Sequence, residues 1–172
     1  MRAPAFFLIC TTAGLLAGCA GYHLGPVNAD TRIGGERSIE VLPFNNQTLQ
    51  PRLGDAVTQA LRERLQTDGT YQLATHGGGD IVVTGVITHY NREGLSYLNT
   101  DVATVENYRV GITAHVTARE RSTGKLLLDK DVNGYTLVHV GTDLASAERQ
   151  SMPLLAEDLA HNTVELLTEG AW

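Results

Sequence analysis

The 172-residue sequence has only two cysteines, Cys10 and Cys19, and no apolar run long enough to span a bilayer. Its longest, residues 5–16, is about a dozen residues, whereas a helix needs roughly 20 to cross a hydrocarbon core about 30 Å thick. A transmembrane anchor is therefore disfavoured. Positive charge is also scarce, with 13 Lys and Arg against 19 Asp and Glu and a net charge of −6. That balance argues against nucleic acid as a partner and against a broad anionic-membrane footprint, while leaving room for a local basic site. No self-similarity recurs at periods of 20–50 residues, so a solenoid or propeller is excluded.

What is present begins with an export signal over residues 1–18: Arg2, an apolar stretch, then small residues ahead of Cys19. Leu16-Ala17-Gly18-Cys19 resembles the bacterial lipobox, in which the thiol is alkylated with diacylglycerol, the chain is cut before the cysteine, and the freed amine is acylated. Cys19 is thus the expected lipidation site. Each buried methylene contributes about 0.8 kcal/mol, so two or more acyl chains hold a protein on its bilayer almost permanently. In the enteric lipoproteins this pattern resembles, an aspartate after the cysteine favours inner-membrane retention, and Ala20 is compatible with delivery to the outer membrane. Cleavage removes Arg2 and Cys10, which leaves 12 basic against 19 acidic residues, a net charge of −7, and a single cysteine. No disulfide can form within such a chain. An ordinary core must hold it, and about 150 residues suffice for one domain to bury around two-thirds of its unfolded surface.

Residues 19–37 are rich in Gly, Asn, Asp and Pro and read as a tether; the folded body spans 38–172. SIEVLPF, residues 38–44, is β-rich and ends at the turn-forming Asn45-Asn46. Over residues 51–66, Leu53, Val57, Ala60, Leu61 and Leu65 recur at three- and four-residue steps, the signature of an amphipathic helix. Residues 71–74 make a short strand, 76–80 a Gly-rich turn, and 81–91 a strong β-run, followed by a less regular stretch over 92–104. The clearest pattern is residues 106–120, where Tyr108, Val110, Ile112, Ala114, Val116 and Ala118 alternate with Arg109, Thr113, His115, Thr117 and Arg119. Period-two alternation describes a strand with one wet face. Ser122-Thr123-Gly124 is a hairpin signal leading to a strand over 125–135. After an irregular 136–141, Thr142 is placed to cap a helix carrying Leu155, Leu159, Thr163, Leu166 and Leu167, with Pro153 kinking or delaying its start. The order predicts an α/β (α+β) two-layer sandwich, two helices on one face of a mostly antiparallel sheet. The other sheet face then meets water or a partner.

No catalytic centre assembles. Gly94-Leu95-Ser96-Tyr97-Leu98 lacks the second glycine and the following helix of a nucleophile elbow. Gly77-Gly78-Gly79 is followed by no GK[ST] and leads into a strand, so it reads as a turn and not a phosphate cradle. The six histidines have no i, i+4 pair for zinc, and read as isolated surface or packed residues. Asp129 and Asp131 share one side of a strand, a spacing that suits a hard cation only if further oxygens converge; a solvated acidic edge is the simpler account. Tyr90, Tyr97, Tyr108 and Tyr135 are first of all good strand formers, with an apolar or sugar-binding surface as the other reading. No metal and no cofactor is implied.

Taken in order, the lipobox with Gly21-Tyr22-His23-Leu24 behind it, Leu42-Pro43-Phe44-Asn45-Asn46-Gln47-Thr48 before an amphipathic helix, Gly79-Asp80-Ile81-Val82-Val83-Thr84-Gly85-Val86-Ile87, Asn107-Tyr108-Arg109-Val110, Thr123-Gly124-Lys125-Leu126-Leu127 and Leu155-Ala156-Glu157-Asp158-Leu159-Ala160 resemble the LptE family of lipopolysaccharide-assembly lipoproteins. The resemblance covers residues 19–172, and its specificity lies in the order, since each piece alone is common. It implies a two-layer sandwich with a mixed four-stranded sheet. It also implies a non-enzymatic outer-membrane lipoprotein on the periplasmic face, one that plugs an LptD-like barrel, helps it assemble and binds lipopolysaccharide.

Phosphorylated lipids suit forked arginine hydrogen bonds, yet residues 95–107 contain no Lys or Arg, where enteric members use basic residues in loops beside the sheet. No enteric ligand residue is therefore carried over; Arg92, Arg109 and Arg119 are candidates by position alone, against the plain reading of solvated arginines. The alternative function is a periplasmic lipoprotein activator of cell-wall synthases, which also places a βα sandwich on a tether, though usually a longer one. A hydrolase acting through Ser96 is the enzymatic alternative, for which no site is found.

Overall fold

A computed structural model of the protein describes residues 37–98, 101–139 and 143–169. Eight elements follow in order: β1 (Ser38–Val41), β2 (Asn45–Asn46), α1 (Leu53–Asp68), β3 (Gln72–Leu73), β4 (Ile81–Leu98), β5 (Asp101–Glu120), β6 (Leu126–His139) and α2 (Leu144–Glu169). The sheet is mixed and runs β3-β1-β4-β5-β6, with β2 also on β4. The short strands pair in parallel, and the long β4, β5 and β6 pair antiparallel. Expected as four-stranded, the sheet has six strands, because Asn45–Asn46 and Gln72–Leu73 each add a two-residue bridge.

The two-layer sandwich follows from the alternation. Ile81, Val83 and Ile87 of β4, Val110, Ile112, Ala114, Val116 and Ala118 of β5, and Leu128, Val132 and Val138 of β6 are buried. Leu53, Val57, Leu61 and Leu65 of α1 and Leu155, Leu159, Val164 and Leu167 of α2 meet them from one side. Gly69, at φ 74°, ends α1 by donating its N–H to the Leu65 carbonyl at 3.2 Å; glycine takes this left-handed conformation without a Cβ clash. Tyr71 Oη donates to the Leu167 carbonyl at 2.8 Å and ties the chain after α1 to the end of α2.

Three expectations are corrected. Residues 92–98 and 101–104, read as irregular, continue β4 and β5, so the hairpin extends beyond the helices; β5 alone spans 20 residues, about 65 Å at strand rise. Strand β6 runs on to His139. Helix α2 passes through Pro153, whose ring is solvent-exposed. Asp143 caps the helix, accepting from the Ala145 amide at 3.0 Å and the Ser146 amide at 3.1 Å; Thr142, the expected cap, lies outside the described residues.

Candidate functional site

Among the described residues the helices cover one sheet face and leave the other open. Directly opposed residues form rows across it: Thr84, Thr117 and Asp129; Val86, His115 and Asp131; His89, Thr113 and Asn133; Asn91, Gly111 and Tyr135; Glu93, Arg109 and Leu137. Strand periodicity points these side chains to one side. Several bind one another: Thr84 to Thr117 through their hydroxyls at 2.6 Å, and Thr113 Oγ1 donates to Asn133 Oδ1 at 2.7 Å. The Asn91 carboxamide lies over Gly111, where any Cβ would come within 2.7 Å of its oxygen.

Toward the projecting hairpin the face becomes amphipathic. Arg109 stands with its guanidinium carbon 5.4 Å from the centre of the Tyr135 ring, a cation–π contact that holds the charge over an aromatic face. Tyr135 and Leu137 are 57% and 63% exposed, large apolar groups left to solvent beside a cation. Leu95 and Tyr97, on the hairpin itself, are exposed as well.

The three positional candidates do not converge. A bulge at Thr88 shifts the β4 register between Ile87 and His89, and past it the inward face of β4 passes from odd to even positions. Arg92 consequently sits opposite buried Val110 on the helix side, bonded to Glu148 of α2 at 3.0 Å. Tyr90 joins that cluster, its phenol pushed up by burial and then by the Glu148 charge. Arg109 and Arg119 are on the open face, but ten residues, about 33 Å, apart along β5. Of the three, Arg109 alone stands with exposed aromatic and aliphatic neighbours. Cys19 lies outside the described residues.

Sequence reasoning missed one constellation. His115 Nε2 lies 2.9 Å from Asp129 Oδ1 and its Nδ1 lies 2.8 Å from Asp131 Oδ1. Asp129 and Asp131 are thus partners of a histidine, each engaging a different ring nitrogen. Among the described residues no group of three or more His, Cys, Asp or Glu is arranged to hold a metal ion. Ser96 Oγ accepts from Asn107 Nδ2 at 2.6 Å, an amide and not the base that would activate a nucleophile. The Gly77–Gly79 turn receives an internal anion: the Glu40 carboxylate accepts from the Gly78 and Gly79 amides at 3.0 and 3.3 Å and pairs with Arg121. No described helix is long and apolar enough to cross a membrane.

These features define a two-layer α/β sandwich whose sheet face away from the helices carries polar, aromatic and cationic groups. A family model described as LptE, lipopolysaccharide-assembly, matches residues 37–167, and the chain belongs to that family. No curated protein sequence matches it. Among solved structures it resembles a hypothetical protein of Chlamydia trachomatis, with TM-score 0.57, 9% identity, and 79% of this chain and 98% of that one covered. It also resembles a protein of Xanthomonas campestris, with TM-score 0.56, 11% identity and coverages of 78% and 86%. A minor lipoprotein of Acinetobacter baumannii aligns with TM-score 0.50, 13% identity and coverages of 77% and 92%. At these identities the likeness is one of fold.

Proposed function

We propose that this member of the lipopolysaccharide-assembly family is an outer-membrane lipoprotein, lipidated at Cys19 after removal of residues 1–18. Its body, residues 38–172, docks within an LptD-like barrel as a plug and assembly factor, and takes lipopolysaccharide on the open sheet face. It performs no reaction of its own. The observation that carries this reading is the one-sided sandwich: the open face runs uninterrupted from Thr84 to Leu137 and ends in an amphipathic patch of Arg109, Tyr135 and Leu137. A lipid with phosphates and acyl chains needs both a forked cation and apolar contact, and that patch offers both. A short tether, residues 19–37, keeps the domain beside the bilayer from which a barrel opens.

The test is photo-crosslinking in cells from open-face positions 84, 113 and 135, with helix position 154 as control. Capture of an outer-membrane barrel from the sheet positions, absent from position 154, is the expected result. Capture of a cell-wall synthase instead would move the assignment to the alternative. Cys19→Ser is expected to release the protein into the soluble periplasm; unchanged membrane association of that variant would show that the barrel and not the lipid is its main hold.

A further inference from the structure

We propose that His115, Asp129 and Asp131 form a proton-operated clasp that fastens the edge strand β6 to β5 on the open face. A carboxylate accepts hydrogen bonds and cannot donate, and an imidazole with both nitrogens facing carboxylates must donate from both. The geometry is satisfied only by the imidazolium: 2.9 Å from Nε2 to Asp129 and 2.8 Å from Nδ1 to Asp131. A neutral ring would turn one lone pair toward a carboxylate oxygen. It would also leave Asp129 and Asp131, two residues apart on one face, repelling each other without a cation between them.

The other groups around the ring do not carry the charge. Val86 stands opposite on β4, with Thr84 in the next row and His89 on the far side. Along β5 the neighbours Thr113 and Thr117 are committed to Asn133 and Thr84. The nearest fixed cation on that face, Arg119, is four residues away, about 13 Å at strand rise. Both helices lie on the opposite face.

The site sits where a clasp has an effect. Among the described residues strand β6 ends the sheet and has one strand neighbour, β5, so side-chain ties across that ladder add to how firmly its 127–133 half is held. The hydrogen bond to Asp131, followed by the charges of Asp129 and Asp131, raises the His115 pKa above the ordinary histidine value against an opposing effect of desolvation. A raised folded-state pKa means a contribution fully present below about 6.5, the unfolded value, and lost as pH rises through the higher folded value. The clasp is therefore closed in mildly acidic surroundings and opens toward alkaline pH.

The experiment is long-range ¹H–¹⁵N correlation spectroscopy of the histidine rings in the full chain across pH 5–9, with hydrogen exchange of β6 amides over the same range. Both ring nitrogens of His115 are expected to stay protonated above about pH 6.5, the ordinary histidine value. Asp131→Asn and Asp129→Asn should each lower the midpoint, Asp131→Asn more. Amides of residues 127–133 are expected to lose protection severalfold, after correction for intrinsic exchange, as His115 deprotonates, and His115→Gln should abolish that pH dependence. A His115 midpoint at or below about 6.5, or one unmoved by both Asp→Asn variants, overturns the proposal. So does a pH-dependent loss of protection that survives His115→Gln.

Discussion

The backbone N–H of Tyr135 donates to Asp158 Oδ2 at 2.9 Å, so a helix side chain takes the place of a strand partner at the outer edge of β6. Four residues along the same helix, Asn162 Nδ2 donates to the Asn133 carbonyl at 2.8 Å. Positions i and i+4 share one helical face, and residues 133 and 135 turn the same way along the strand, so the acceptor and the donor of α2 meet the outward donor and acceptor of β6. An edge strand otherwise presents such groups to any passing chain.

Removing both caps should expose that edge. Asp158→Ala with Asn162→Ala is expected to retain the fold with a loss of about 1 kcal/mol per bond and to self-associate with rising concentration. Sedimentation velocity of wild type and double variant would read this directly. A double variant that stays monomeric at the highest concentration at which wild type does would show that the caps only stabilise.

The same crossing sets how closely α2 can approach. A Cβ on Gly134 would come within 2.7 Å of the Leu159 backbone nitrogen and 2.9 Å of its Cα, atoms that cannot swing aside. Gly134→Ala should therefore cost about 1–3 kcal/mol as overpacking, while truncation of fully buried Leu159 to Ala costs about 2–5 kcal/mol through the cavity. Urea denaturation of both variants checks the pair. A neutral Gly134→Ala would mean that α2 slides freely on β6.

Period made the layers legible and register hid the site. The alternation from Tyr108 to Ala118 and the three- and four-residue steps of Leu53, Val57, Leu61 and Leu65 suffice to place helices against one sheet face. What alternation does not carry is a bulge, because one extra residue exchanges the faces without altering composition. Extending the Ile87–Ala114 register of β4 and β5 without the bulge would set Arg92 opposite Arg109; with the bulge at Thr88, Arg92 faces Val110 and turns under α2. A second slip, between Ala118 and Arg119, inserts Leu127 and brings Asp131 opposite His115. Counted from the hairpin turn without it, His115 would face Lys130, so the clasp has no signature in the sequence. The long β4–β5 hairpin escaped for another reason: residues 93–97 lack clean apolar alternation, because their side chains are exposed or half-buried.

Burial by pairing separates the arginines functionally. Arg92 is held by Glu148, whose side chain is 12% exposed, whereas Arg109 rests on an exposed tyrosine ring. If lipopolysaccharide binds the open face, Arg109→Ala should weaken binding by roughly ten- to hundredfold, the range that one charge-assisted hydrogen bond of about 1.5–3 kcal/mol supplies. Arg92→Ala should leave affinity unchanged and cost under about 1 kcal/mol of stability, as half-exposed ion pairs do. Fluorescence titration with lipopolysaccharide distinguishes them, and equal losses in the two variants would argue against the open face.

Helix α2 should also give the fold an acid-sensitive limb. The Asp143 carboxylate is held below its usual range first by the Ser146 hydroxyl at 2.6 Å, and then by the Ala145 and Ser146 amides and the charge of Arg149. A depressed folded-state pKa stabilises above the unfolded value of about 3.9, and the contribution disappears as pH falls through the lower folded value. Asp143→Ala should lower Tm at neutral pH, since the cap is lost, and flatten the decline below about pH 4. Asp143→Asn keeps an acceptor for the helix amides but cannot titrate, so it should retain more of the neutral-pH stability than Asp143→Ala and share its flattened acid limb. Thermal melts from pH 2 to 7 decide the matter: an Asp143→Asn melt that tracks wild type down the acid limb would assign that limb to other carboxylates.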